Sequence, residues 1–111
     1  MKSKMGLITM CRKAGKLHIG MDTVKEACRN GSASGVFIAN DISPKSLKEI
    51  KFICSRYGVE LYELGISMDD IWTELGKRAG VMAVTDRGFS KACAKGLEPV
   101  PASEDDLNSN Q

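Results

Sequence analysis

Gly35-Val36-Phe37-Ile38-Ala39-Asn40-Asp41-Ile42-Ser43-Pro44 joins two strong local signals. The run Gly35–Ala39 is continuously apolar and has β-branched members, which suits a strand buried on both faces. Ser43-Pro44 is a helix start: serine caps, and proline occupies the first helical position, where its missing N–H costs nothing. The helix it opens extends to about Tyr57 and stops at Gly58. Leu47, Ile50, Ile53, Cys54 and Tyr57 fall on one helical face and are its expected core side. Lys45, Lys48 and Arg56 lie largely away from that side.

The same alternation continues in both directions. Towards the C-terminus, Val59–Leu64 alternates with period two and reads as a strand. Ser67 and Asp70 have capping-box spacing and open a helix through Ile71, Trp72 and Leu75, ended by Gly76. Val81–Thr85 is a second buried strand, and Asp86 caps a last helix through Phe89, Ala92 and Cys93 to Gly96. Towards the N-terminus, residues 3–14 carry Leu7, Ile8, Cys11 and Ala14 at helical spacing, with Gly15 as a stop. Lys16–Ile19 is a short strand. Gly20 turns the chain into a helix over 21–30, with Val24, Ala27 and Cys28 as its apolar stripe and Asn30-Gly31 as its end. Thr23 and Glu26 have capping-box spacing. The resulting order, α-β-α-β-α-β-α-β-α, argues for a central sheet, at least partly parallel, with helices on both faces. The strand order is not contained in the pattern.

A chain of 111 residues is one domain by length. Apolar residues make up 42% and charged residues 27%, ordinary for a globular domain. No window approaches the ~20 apolar residues of a membrane span. The run Leu7–Cys11 is too short for a secretory h-region, so a cytoplasmic protein with no membrane partner is expected. The four cysteines, Cys11, Cys28, Cys54 and Cys93, form no C-x-x-C pair, and His18 has no ligand-like spacing to any of them. Buried reduced thiols are expected, with no metal and no cofactor.

Charge is distributed unevenly. All 16 basic side chains lie in residues 1–97, against 10 of the 14 acidic ones. Residues 98–111 carry Glu98, Glu104, Asp105 and Asp106 and nothing basic. A basic domain over 1–97 with an acidic, disordered tail over 98–111 is the expected organisation, and it leans towards nucleic acid.

Catalytic motifs are missing: there is no G-x-S-x-G, no G-x-x-x-x-G-K-[ST] and no G-x-G-x-x-G. Adjacent Asp69 and Asp70 diverge on a helix and suit a first-turn dipole role better than acid–base work. Nothing pairs a nucleophile with a base, so no catalytic residue is assigned. What remains are loops at element ends: Gly20-Met21-Asp22-Thr23, Asn40-Asp41-Ile42-Ser43-Pro44 and Leu75-Gly76-Lys77-Arg78-Ala79-Gly80-Val81. The first two lie at strand carboxyl ends and lead into helix N-termini, which offer free N–H groups to acceptors. The third sets two cations between glycines. Capped turns and ligand-reading loops fit this local chemistry equally well.

Three runs stand in a familiar order: Arg12-Lys13-Ala14-Gly15-Lys16 then Gly20; Val36-Phe37-Ile38-Ala39-Asn40-Asp41 then Pro44; and Leu75-Gly76-Lys77 then Gly80. Over about residues 4–97 the chain resembles the kink-turn-binding ribosomal protein family of the L-seven-Ae and L-thirty-e type, and is most like its short bacterial paralogues. The resemblance implies a three-layer α/β/α sandwich around a four-stranded mixed sheet. It also implies a non-enzymatic protein that binds kink-turns, sharply bent internal loops with tandem sheared G·A pairs, in the ribosome or another ribonucleoprotein. Distorted, non-Watson–Crick RNA is what proteins read most readily. Carried over position by position, the RNA-binding set is Lys16, Gly20, Met21, Asp22, Thr23, Lys25, Glu26, Asn40, Asp41, Lys77, Arg78, Ala79 and Gly80.

The first loop departs from the family pattern. Gly-Thr-Asn-Glu, two residues and Lys is replaced by Gly20-Met21-Asp22-Thr23-Val24-Lys25-Glu26. Asp22 stands for asparagine and can only accept hydrogen bonds, whereas an amide also donates. Thr23 stands for glutamate. Glu26 replaces an attraction for phosphate by a repulsion, and Lys25 projects ~100° away from it around the helix. Weaker binding to a standard kink-turn, or preference for a variant RNA, is the expectation. The alternative is a protein-interaction module of the same fold that has lost kink-turn readout.

Overall fold

The computed structural model describes residues 4–101. Its elements run α1 (Lys4–Lys13), β1 (Leu17–Ile19), α2 (Met21–Arg29), β2 (Gly35–Ile38), α3 (Pro44–Tyr57), β3 (Leu61–Glu63), α4 (Met68–Leu75), β4 (Val81–Val84) and α5 (Arg87–Ala94). The four strands form one mixed sheet in the order β1-β4-β2-β3. Both β1 and β2 pair antiparallel with β4, and β2 pairs parallel with β3. The two continuous apolar runs are therefore the two central strands, and every residue of both is buried.

Alternate side chains of these strands feed two cores. Val36, Ile38, Val81 and Ala83 pack against α2 and α3, through Val24, Ala27, Ile50 and Ile53. Phe37, Ala39, Met82 and Val84 pack against α1, α4 and α5, through Ile8, Cys11, Ile71, Leu75 and Cys93. The result is a three-layer α/β/α sandwich. Phe37 is fully buried and stacks on Tyr62 with ring centroids 5.4 Å apart. All four cysteines are buried and free. Cys11 and Cys93 touch across one helical layer, Sγ to Sγ at 3.9 Å.

Helix ends follow the chemistry of their caps. Ser43 accepts from the Ser46 N–H with Pro44 at the first turn, and Gly58 closes α3 in the left-handed conformation. Ser67 and Asp70 form a reciprocal capping box on α4. Asp86 accepts from the Phe89 N–H at the start of α5.

Three expectations are corrected. Thr23 and Glu26 form no capping box: Thr23 lies inside α2, where its hydroxyl donates to the carbonyls of Ile19 and Gly20. A hydroxyl that far into the first turn reaches back to carbonyls and not to the orphan N–H groups. Tyr57 is not core. It ends α3 at the surface, 37% exposed, with the Arg56 guanidinium over its ring. Pro99 and Val100, placed in the acidic tail, instead edge the sheet. Pro99 bridges Tyr62, the Val100 N–H donates to the Leu61 carbonyl, and Val100 packs on the α2–α3 core. They satisfy backbone groups that an edge strand leaves open. Tail residues 102–111 lie outside the described residues, as do 1–3. Among the described residues, no helix is long and apolar enough to cross a membrane.

Candidate nucleic-acid interface

One end of the sandwich collects the carboxyl ends of β1 and β2 and the amino end of β4, because β4 runs antiparallel to both. Gly20 leaves β1 at φ 107° and ψ 151°, a conformation that glycine adopts without the clash a side chain would bring. Its N–H donates to the Val81 carbonyl, fixing the loop to β4. It then caps α2 with no side-chain acceptor. Among the described residues, no side chain caps the first-turn N–H groups of α2, which carry the positive end of the helix dipole.

Beside this loop lies a groove of about 220 Å³. Gly20 and Met21 form one wall, and Arg78, Ala79 and Gly80 form another. Ile42, Ser43 and Ser46 from the β2–α3 turn, and Met68 from the start of α4, complete it. Gly80 is held there by packing: an added Cβ would lie 3.1 Å from Ile42 Cγ1 and 3.2 Å from Met68 Sδ. The lining is largely apolar with serine and arginine among it, a surface able to take the flat face of an unstacked base.

Of the thirteen positions expected from sequence, the structure brings Gly20, Met21, Arg78, Ala79 and Gly80 together on the groove. Asp22 and Lys77 are exposed beside these walls in sequence, and Asn40 is exposed while its N–H donates to the Ile66 carbonyl. Thr23 spends its proton on main-chain carbonyls, so towards a ligand it can only accept. Asp41 is a fastener: its Oδ1 accepts from the Met68 N–H at 2.9 Å. Lys25 is ion-paired with Glu49 of α3, and Glu26 with Arg29 at 2.8 Å. The Arg29 pair offsets part of the repulsion that Glu26 would exert on phosphate, by a modest amount for so exposed a pair. Arg78 leans on Asp69 of α4 at 3.3 Å.

Lys16 is not part of this end. It precedes β1, and its carbonyl accepts from Thr85, at the far end of β4. The whole of β1 separates it from Gly20, ~13 Å over about four residue steps at the rise of a strand. Ser46 and Met68 were not expected in the lining, and Ile42 and Ser43 lie in the second candidate loop but not among the thirteen positions. The available signals were an apolar residue, Ile42, inside a polar turn, and Met68 directly after the Ser67 cap.

Fold and groove together define a small three-layer α/β/α domain with an open groove at the loop end of its sheet. The chain belongs to the ribosomal protein L7Ae/L30e/S12e/Gadd45 family, whose model matches residues 3–94. It is 36% identical over 94 residues to the RNA-binding protein YlxQ of Enterococcus faecium, covering 85% of this chain and 90% of that one. It is 31% identical over 91 residues to the large ribosomal subunit protein eL30 of Tetrahymena thermophila, covering 80% of this chain and 85% of that one. A solved Bacillus halodurans C protein of unknown function superposes with a TM-score of 0.75 at 25% identity, over 82% of this chain and 92% of that one.

Proposed function

We propose that this chain is a non-enzymatic, cytoplasmic RNA-binding protein that recognises a kink-turn, or a closely related bent RNA, in a ribonucleoprotein. The observation that carries the reading is the groove itself, where three loops and the uncapped start of α2 meet. Family membership and the names of two relatives, an RNA-binding protein and a ribosomal protein, support the same reading. In it, the α2 N–H groups and the Asp22 carboxylate meet guanine edges at the sheared pairs. A carboxylate accepts from the guanine N–H donors, which suits that edge. Met21, Ile42 and Ala79 pack against a splayed base, and Lys77 with Arg78 meets the backbone phosphates.

The test is a titration at two salt concentrations with two RNAs. One carries a standard kink-turn; the other differs only in having its G·A pairs replaced by Watson–Crick pairs. Tight binding to the first alone is expected. Equal binding to both that vanishes with salt would be nonspecific electrostatics. It would turn the reading towards the protein-interaction module.

A further inference from the structure

The opposite end of the sandwich carries a second depression, of about 250 Å³. Ser34, Arg87, Ser90, Lys91 and Lys95 line it, with Tyr62 and one carboxylate, Glu60. It sits where β2 begins and β4 ends, since Gly35 pairs with Val84. From Ser34 to Asn40 at the groove end is ~20 Å of extended chain. The two sites are separate.

Arg87 and Lys91 stand four residues apart on one side of α5, and Lys95 is the C-cap that follows it. Among the described residues, none of the three side chains makes an ion pair or a hydrogen bond. Three cations facing one carboxylate leave the depression positive. Asp86, the nearest other acid in sequence, is used as the α5 cap on Phe89.

A second observation is independent of charge. Ser90 is 6% exposed, and among the described residues its hydroxyl has no hydrogen-bond partner. A buried hydroxyl is ordinarily satisfied, and leaving it unpaired is costly. The hydroxyl is directed at Gly35, where an added Cβ would lie 2.3 Å from Oγ. Glycine at 35 gives the Ser90 hydroxyl room to lie there, beside a cationic wall. The depression is also smaller than the ~300–1,000 Å³ of sites for drug-sized ligands, and suits a compact group.

We propose that this depression binds a phosphate group. The Ser90 hydroxyl donates to one oxygen, Arg87 and Lys91 neutralise the charge, and Ser34 supplies a second hydroxyl. The phosphate comes either from the backbone of a helical arm of bound RNA or from a free phosphate. The site itself does not depend on the groove reading a kink-turn.

The experiment is a titration of the full chain with inorganic phosphate at constant ionic strength, followed by amide NMR. Saturable shifts confined to Ser34, Arg87, Ser90 and Lys91 are expected. They should disappear in the Arg87→Glu, Lys91→Glu double variant, whose changes are exposed. Ser90→Ala should weaken phosphate about tenfold, as loss of a hydrogen bond to a charged group does. Absent shifts, or linear shifts unchanged in the variants, would overturn the site. A second arm adds kink-turn RNA with a short or a long helical arm. Movement of the same amides by the long-armed RNA, reversed by phosphate, identifies the RNA backbone as the source. Movement by phosphate alone identifies the free anion. Failure of the first arm leaves the groove reading intact, because that arm contains no RNA.

Discussion

Asp41 Oδ1 accepts a hydrogen bond from the backbone N–H of Met68 at 2.9 Å, across 27 residues of sequence. This contact ties the β2–α3 turn to the start of α4, and both segments line the groove. Met68 is the first residue of α4, so its N–H is one of the donors that the helix cannot satisfy itself. Asp41→Ala should cost about 1 kcal/mol, as loss of a capping acceptor does. It should also loosen the Ile42–Met68 wall. Asp41→Asn keeps an acceptor and should retain most of both. Urea denaturation and RNA titration of the two variants check this; equal behaviour of alanine and asparagine would deny the contact its role.

Gly80 offers a sharper handle on the same wall. The Cβ of Gly80→Ala would press on Ile42 and Met68 at 3.1 and 3.2 Å, closer than ordinary contact. The neighbours must yield into the groove. A loss of about 1–3 kcal/mol is expected for such overpacking. RNA affinity should fall more than that of a surface alanine placed outside the groove. Thermal unfolding with a parallel binding curve measures both effects.

The layered fold was largely legible because its signals are local. Val36–Ile38 and Val81–Val84 are apolar on both faces, which marks central strands wherever they pair. Leu61–Glu63 grades from buried through half-buried to exposed and does not show the alternation that its sequence suggests. What stayed hidden was pairing: two doubly buried runs do not say which neighbours they take or in which direction. The candidate site was legible in part, since five of the expected positions line one groove. Gly20 and Gly80 stand out because loops announce themselves. Lys16 reads as part of the site because sequence proximity to Gly20 conceals a whole strand between them. Lys25, Asp41 and Arg78 read as ligand-facing groups, yet each has a partner on another element, Glu49, Met68 or Asp69. Such pairing is a property of the folded chain and leaves no local mark.

The thiols predict a pH dependence. Burial, with Cys93 beside it, pushes the Cys11 thiol from 9.0 up to about 12, and burial raises Cys93 as well. An unfolded thiol ionises near the lower value while the folded one keeps its proton. Between the two, the native state binds more protons, so stability falls as pH rises from about 9 towards 12. The urea midpoint should therefore decline more steeply over that window in the natural chain than in Cys11→Ala. At neutral pH the buried thiols should resist a thiol reagent until the chain unfolds. A rapidly reacting native thiol would contradict their burial.

Arg78 and Asp69 give the functional prediction of opposite sign. The guanidinium is held at 3.3 Å by a carboxylate that is itself 75% exposed. An ion pair so solvated holds weakly, by about 0–1 kcal/mol. Asp69→Asn should release Arg78 towards the groove and remove a negative charge beside the RNA. Stability should hardly change, while RNA affinity at low salt should rise by up to about fivefold. Arg78→Ala should do the reverse and reduce the slope of log affinity against log salt by about one, the signature of one lost phosphate contact. Lys77→Ala should reduce the slope similarly. If Asp69→Asn weakens binding instead, the pair serves to aim Arg78 and not to restrain it. The Asp69→Asn, Arg78→Ala double variant separates these cases: a restraining Asp69 has no effect once Arg78 is gone beyond its own charge.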